Sequence, residues 1–213
     1  MLQTYIVDAF TDQPFKGNPA GVCLLDTPIE VALMQSIASE LNLSETVFLR
    51  SDGPQRYHLR YFTPTVEIDF CGHATLAAAK VILDQLGQET VDFVTHKGLQ
   101  LDATAEADAI KMTFPLYPTI AYTPPPKLLE AFGLATVVDA QFAEALDMLV
   151  LEVKDKTTLL AVQPDFQQAI ESSDAIKEVV ITTKSDDADY DLYSRCFCPR
   201  SGIHEAPVTC AAH

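Results

Sequence analysis

The segment from residue 74 to residue 83 constrains the fold more than any other part of the chain. Thr75 and Lys80 are its only polar residues, so a helix formed by this segment has almost no polar face. Such a helix is buried on nearly all sides rather than lying on a surface. We therefore predict a buried helix, preceded by a strand and by a tight turn at 71–73.

The turn Cys71-Gly72-His73 places a candidate anion site at the start of this helix. The first amides of a helix have no partner within it, and the helix dipole favours negative charge in front of them. A histidine beside such a site suggests a small acidic substrate. The alternative is that His73 only caps the helix.

The charge balance excludes several classes of partner. The chain of 213 residues has 14 basic and 30 acidic side chains, a formal net charge of −16 at pH 7. Such a surface repels nucleic-acid phosphates, so we expect no nucleic-acid partner. No run of about 18 apolar residues is present, so we expect no membrane span. The N-terminus also lacks a signal-peptide pattern, and we predict a cytoplasmic protein.

The cysteine count is odd, which in a cytoplasmic chain argues against a disulfide framework. The five cysteines are Cys23, Cys71, Cys196, Cys198 and Cys210. We expect Cys196 and Cys198 to point to opposite faces of a strand. A zinc site uses a different spacing and more Cys or His ligands, so we predict no metal site.

A proline-rich stretch divides the chain. Residues 117–126 contain four prolines, which neither a helix nor a central strand accommodates. We predict an N-terminal lobe at 1–116 and a C-terminal lobe at 117–213. In the first lobe, hydrophobic periodicity predicts a helix at 29–41 and strands at 3–10, 56–62, 91–95, 99–104 and 109–114. In the second lobe, it predicts helices from 127 and at 165–171, and strands at 137–141, 147–152, 178–183 and 190–197.

Glu45 is the candidate acid/base. In a strand it shares one face with Leu43, Val47 and Leu49. A carboxylate on an apolar face loses hydration and becomes able to accept and donate a proton near neutral pH. Alternatively, Glu45 lies in solvent at the frayed start of the strand.

Cys71 and Asn18 each have a chemical and a structural interpretation. A helix N-terminus can activate Cys71 as a thiolate, but a buried cysteine is also an ordinary small apolar residue. Asn18, between Gly17 and Pro19, is either a turn residue or part of a site.

Taken together, these segments resemble the PhzF-like family, which is related in fold to diaminopimelate epimerase. The resemblance rests on the sequence Asn42-Leu43-Ser44-Glu45-Thr46, on the stretch 67–77 and on Ser194-Arg195-Cys196-Phe197-Cys198-Pro199. Shorter matching pieces lie at 7–10, 15–20 and 62–64. They follow the family's order over essentially the whole chain.

The resemblance implies an α+β fold with two pseudo-symmetric lobes, each a curled mixed sheet around a central apolar helix. It also implies an isomerase that transfers a proton at a carbon atom of a small carboxylate substrate and needs no cofactor. By match, Glu45 is the general acid/base, and Gly72 and His73 bind the substrate carboxylate. Asn18 and Ser44 are also predicted to bind substrate. The resemblance further implies a homodimer.

Two departures from the family pattern leave other functions open. Ala206 stands where members have an aspartate, and Ala211 where they have a serine. Members also continue beyond the equivalent of His213, so we expect the second lobe to be incomplete. One alternative is a two-cysteine racemase or epimerase that uses Cys71 and Cys210. The other is a non-catalytic binding protein that keeps the fold.

Overall fold

The structure is a computed structural model that describes residues 2–107, 109–188 and 190–206. Contacts between Cα atoms divide the chain into two units, Met1–Pro115 and Leu116–His213, and each has its own sheet. Among the described residues, no helix is long and apolar enough to cross a membrane.

The first unit is a mixed sheet with two helices. Its strands are β1 (Leu2–Ala9), β2 (Asn18–Leu25), β3 (Glu45–Ser51), β4 (Arg56–Phe62), β5 (Glu67–Ile68), β6 (Thr90–Thr95), β7 (Gln100–Glu106) and β8 (Ala109–Thr113), and its helices are α1 (Val31–Leu41) and α2 (Gly72–Leu86). The strand order is β1-β2-β3-β4-β6-β7-β8, with β5 paired to β4. The pairs β2–β3 and β4–β6 are parallel, and the others are antiparallel.

Helix α2 is enclosed by this sheet. The alanines at 74 and 77–79 are at most 1% exposed, and their small side chains let the strands approach closely. The helix contacts β1, β2, β3, β6, β7 and β8, which include both edge strands. Seven strands side by side span roughly 29 Å at the usual spacing, whereas a helix is about 10 Å wide. One helix can therefore touch both edges only because the sheet curls around it.

The opposite face of the same sheet is covered by α1. In β3, Val47 and Leu49 belong to the core around α2, whereas Phe48 packs with Met34 and Ala38 of α1. This division follows the period of two that a strand imposes on its side chains. Strands β2 and β3 are therefore buried on both faces over most of their length, which explains their nearly continuous apolar sequences.

The second unit is built on a separate sheet with the order β14-β13-β12-β11-β10-β9. Its elements are β9 (Ile120–Ala121), α3 (Pro126–Ala131), β10 (Asp139–Ala143), β11 (Met148–Glu152), α4 (Lys156–Ala161), α5 (Phe166–Ser172), β12 (Glu178–Lys184), β13 (Leu192–Cys198) and β14 (Ile203–Ala206). Only β11 and β12 pair in parallel. The three helices pack on one face of the sheet through apolar residues such as Leu128, Leu159 and Ala169.

The two units share a topology. In each, an antiparallel pair (β1–β2 or β10–β11) is followed by a parallel partner (β3 or β12) and an antiparallel strand (β4 or β13). Helix α2 follows β5, and the equivalent place in the second unit follows β14. Residues 207–213 there lie outside the described part of the chain. Among residues 116–188 and 190–206, no helix corresponds to α2, and the predicted incompleteness of this lobe stays a prediction.

The structure corrects two local predictions. Asn18, for which one interpretation was a turn residue, is instead the first residue of β2. Pro19 fits there because the pairing with β3 starts one residue later, at Ala20. Gly72 and His73, predicted in a turn, are instead the first two residues of α2, whose N-cap is the extended Cys71.

The enclosure of α2 predicts a steep dependence of stability on its inner side chains. Ile82 is 0% exposed, so Ile82→Ala should lower the free energy of unfolding by about 2–5 kcal/mol through lost burial and a residual cavity. Leu86→Ala, at a 51% exposed position of the same helix, is the matched control and should change it by less than about 1 kcal/mol. Urea denaturation measures both. Equal changes in the free energy of unfolding for the two variants would contradict the enclosure of α2 by the sheet.

Candidate functional site

Glu45 is the first residue of β3 and lies in the protein interior. It pairs in parallel with Ala20 of β2 and is 8% exposed. Val47 and Leu49 follow on the same face and are at most 1% exposed. The alternative that Glu45 is solvated at a frayed strand end is therefore wrong.

Asn18 and Ser44 lie next to each other where β2 and β3 begin. Asn18 is 1% exposed, and the Ser44 hydroxyl donates to its Oδ1 atom over 3.4 Å. The same hydroxyl oxygen is 3.5 Å from Nε2 of His73. Polar side chains from three separate segments thus meet at one end of the sheet.

Two residues for which the sequence predicted no role in the site support the start of α2. The Thr75 hydroxyl donates to the carbonyl oxygen of Cys71 over 2.7 Å, and the Tyr61 hydroxyl lies 2.7 Å from the Thr75 oxygen. Because the Thr75 proton is already engaged, Tyr61 is the donor of the second bond. Burial raises the pKa of Tyr61, so this donor stays protonated. The alternation of β4 was the only sequence signal that Tyr61 faces α2.

His73 joins Glu45 and Cys71 into one buried cluster. Its Nε2 atom lies 3.2 Å from Oε2 of Glu45, and its Nδ1 atom lies 3.2 Å from Sγ of Cys71. Loss of hydration lowers the pKa of His73 to about 4. The imidazole is therefore neutral at pH 7, so its 3.2 Å contact with Glu45 is not an ion pair.

A neutral imidazole has one N–H group, which couples the protonation of the whole cluster. The tautomer with its proton on Nε2 directs a donor at an ionised Glu45 and leaves Nδ1 as an acceptor for the Cys71 thiol. The other tautomer directs its Nδ1 proton at the sulfur and leaves Nε2 as an acceptor for a protonated Glu45. The arrangement accommodates Glu45 in either protonation state.

Within the described part of the chain, two groups of side chains have the spacing of metal ligands. The ligand atoms of Glu45, Cys71 and His73 lie within 4.8 Å of one another, and so do those of Glu178, Cys196 and Cys198. The expectation that Cys196 and Cys198 point to opposite faces is wrong. Residues i and i+2 of a strand share a face, and the two sulfur atoms are 3.7 Å apart.

The predicted site residues of the first unit converge, whereas of the positions considered near the end of the chain only Ala206 lies within the described structure. Asn18, Ser44, Glu45 and His73 form one contiguous group, with Gly72 preceding His73 in the first turn of α2. Ala206 is the last residue of β14 and pairs with Cys196. Cys210 and Ala211 lie outside the described residues.

Comparison with known proteins gives the same family at several levels of similarity. The profile of the family described as phenazine biosynthesis-like protein, PhzC-PhzF, matches residues 7–213. A Halalkalibacterium halodurans protein, named an uncharacterized isomerase, is 40% identical over 215 residues, which cover 98% of this chain and 78% of that protein. A crystal structure of a PhzF-family phenazine biosynthesis protein from Enterococcus faecalis matches with a TM-score of 0.85 and 38% identity, over 99% of this chain and 78% of that one.

More distant structures share the fold alone. A probable proline racemase from Agrobacterium radiobacter matches with a TM-score of 0.54 and 11% identity, over 97% of this chain and 72% of that one. The predicted α+β fold class and the family resemblance are therefore confirmed. The chain belongs to the PhzC-PhzF family of phenazine biosynthesis-like proteins.

Proposed function

We propose that this chain is an isomerase that moves a proton at a carbon atom of a small carboxylate substrate, with Glu45 as the general acid/base. The observation that carries the proposal is the buried Glu45 carboxylate, 3.2 Å from a neutral His73. The relative from Halalkalibacterium halodurans is named an isomerase, which supports the same reaction class. The proposed step is a proton transfer without electron transfer, so the proposal includes no cofactor.

The environment of Glu45 suits a group that must both take up and release a proton. A cation beside a carboxylate favours the ionised form and makes it a poor proton carrier near neutral pH. Glu67 is an example, because Arg60 donates to its two oxygens over 2.7 and 2.8 Å and holds its pKa below the usual range. The neutral His73 beside Glu45 does not impose this bias.

The start of α2 supplies the proposed seat for the substrate carboxylate. The amides of Gly72 and His73 belong to the first turn, where no helical acceptor is available to them. The helix dipole adds a partial positive charge at the same place. A local attraction of this kind is needed because the whole chain, with a net charge of −16, repels anions.

The contact between Cys71 and His73 supports a second candidate function. The sulfur lies 3.2 Å from Nδ1 of His73, which can accept the thiol proton. In a racemase or epimerase of the two-cysteine type, Cys71 would take the proton from one side of the substrate carbon. Cys210, the partner in this alternative, lies outside the described residues.

Replacing Glu45 tests the main proposal. Small carboxylates incubated with the protein in deuterated water should gain deuterium at a carbon atom, measured by NMR. Glu45→Gln should slow this exchange at least about 100-fold, because the amide cannot accept the proton. Glu40→Gln, at an exposed position of α1, is the matched control and should leave the rate unchanged.

The same assay separates the two candidate functions. Cys71→Ser should retain most of the exchange if Glu45 is the acid/base and abolish it if the thiol is. A Glu45→Gln rate within about threefold of the parent would contradict the role of Glu45, since a positioned acid/base contributes far more than that.

The proposed carboxylate seat predicts where a small anion binds. On titration with a small carboxylate, the amide NMR signals of Gly72 and His73 should shift most. The amide signals at the start of α1, where Glu30 is the N-cap, serve as a control and should stay unchanged. Chloride at the same ionic strength corrects for general salt effects. If the largest changes in amide NMR signals occur elsewhere in the chain, the proposed carboxylate seat is refuted.

The neutral state of His73 predicts a pH-dependent loss of stability. Below about pH 6.5 the unfolded chain binds a proton at this histidine, whereas the folded chain does so only near pH 4. The free energy of unfolding should therefore fall as the pH drops from 6.5 towards 4, by on the order of 3 kcal/mol from this residue. His73→Asn should remove this part of the pH slope in urea denaturation.

If His73→Asn keeps the parent slope between pH 6.5 and 4, His73 is not the buried neutral group that the geometry indicates.

A further inference from the structure

The second sheet carries a cluster of three potential metal ligands on an otherwise apolar face. Val180 of β12 stands opposite Cys196 of β13. Glu178 lies two residues before Val180, and Cys198 lies two residues after Cys196, so the strand period puts all three donor side chains on one face. The neighbours on this face are apolar, among them Met148.

The spacing of the two sulfur atoms suits one shared metal ion. They are 3.7 Å apart, much farther than the roughly 2.05 Å of a disulfide bond. Two thiolates bound to one tetrahedral zinc ion, at about 2.3 Å each, stand roughly 3.8 Å apart. The observed separation therefore matches this arrangement without movement of either cysteine. Cys196 and Cys198 are 3% and 8% exposed, so neighbouring side chains hold them in place.

We propose that Glu178, Cys196 and Cys198 bind a divalent cation of the zinc class. Both thiols would release their protons to solvent and bind as thiolates, and a carboxylate oxygen of Glu178 would be the third ligand. Three protein ligands leave a fourth tetrahedral position for water or another donor. This site is independent of Glu45 and of the proposed isomerase reaction.

The other cluster with metal-ligand spacing is less suited to this ion. Glu45, Cys71 and His73 offer one sulfur atom, whereas Glu178, Cys196 and Cys198 offer two. Two thiolates favour zinc more strongly than one, because soft sulfur ligands select it over the harder cations. The chemistry of the donors therefore points to the cluster in the second unit.

The equivalence of the two units adds an independent observation. Glu45 is the first residue of β3, and Glu178 is the first residue of β12, the topological counterpart of β3. Each strand follows a helical crossover and pairs in parallel with the preceding strand. The same place in the topology thus carries a carboxylate beside a cysteine in both units.

Titration of the reduced full-length chain with Co²⁺ tests the proposal, since Co²⁺ bound by thiolates gives a charge-transfer absorption band. We expect one Co²⁺ per chain, displaced by Zn²⁺. The double variant C196S/C198S should lose the band. Glu178→Gln should weaken Co²⁺ binding at least about tenfold. This is the lower end of the loss in metal affinity that results from substitutions around a metal site. Cys23→Ser, at a buried cysteine of the first sheet, is the matched control and should keep the band.

A second measurement uses the unsubstituted chain and so does not depend on the variants folding. Zn²⁺ should slow the alkylation of Cys196 and Cys198, followed peptide by peptide by mass spectrometry, and leave that of Cys23 unchanged. Absence of the cobalt band in the reduced chain would overturn the proposal. A band that survives C196S/C198S and disappears in Cys71→Ser would also overturn it, by placing the metal at the Glu45 cluster.

Discussion

Small side chains at 74 and 77–79 of α2 allow strands from both edges of one sheet to contact the same helix. This close approach makes the sheet curl and buries the helix almost completely. It also fixes the helix N-terminus beside the ends of β2 and β3, where Asn18 and Glu45 begin their strands. The geometry of the candidate site is therefore a consequence of how α2 is packed.

Glutamate carboxylates of this chain lie in two kinds of environment, one with a charged partner and one with a neutral partner. Glu67 and Glu205 each receive two hydrogen bonds from an arginine, Arg60 and Arg195, which holds their pKa values below the usual range. Glu45 instead faces a neutral imidazole in the interior. Charged partners thus keep two carboxylates ionised at the sheets, while the carboxylate proposed to react has a partner that allows both of its protonation states.

The two units use one topology to present different donors. At the start of β3, Glu45 meets an imidazole and a thiol, which together can relay a proton. At the start of β12, Glu178 meets Cys196 and Cys198, which together have the composition of a soft-metal site. The common element is a carboxylate at the end of a parallel strand pair. The different side chains beside it are the basis for proposing proton transfer in the first unit and metal binding in the second.

Much of this architecture was predictable from local patterns. The apolar run after His73 predicted a buried helix. The alternation of side chains along a strand placed Glu45 on the same face as Val47. Both predictions were possible because burial leaves a repeating pattern of apolar residues in the sequence. The same alternation puts Cys196 and Cys198 on one face of their strand, contrary to the expectation that they point to opposite faces. By itself, the sequence determined which helix is buried and the face on which Glu45 lies. Only the tertiary structure decided that Ser44 and His73, 29 residues apart, meet. The antiparallel pairing of β3 with β4 returns the chain to the end of the sheet where Ser44 lies, and no local period encodes that distance.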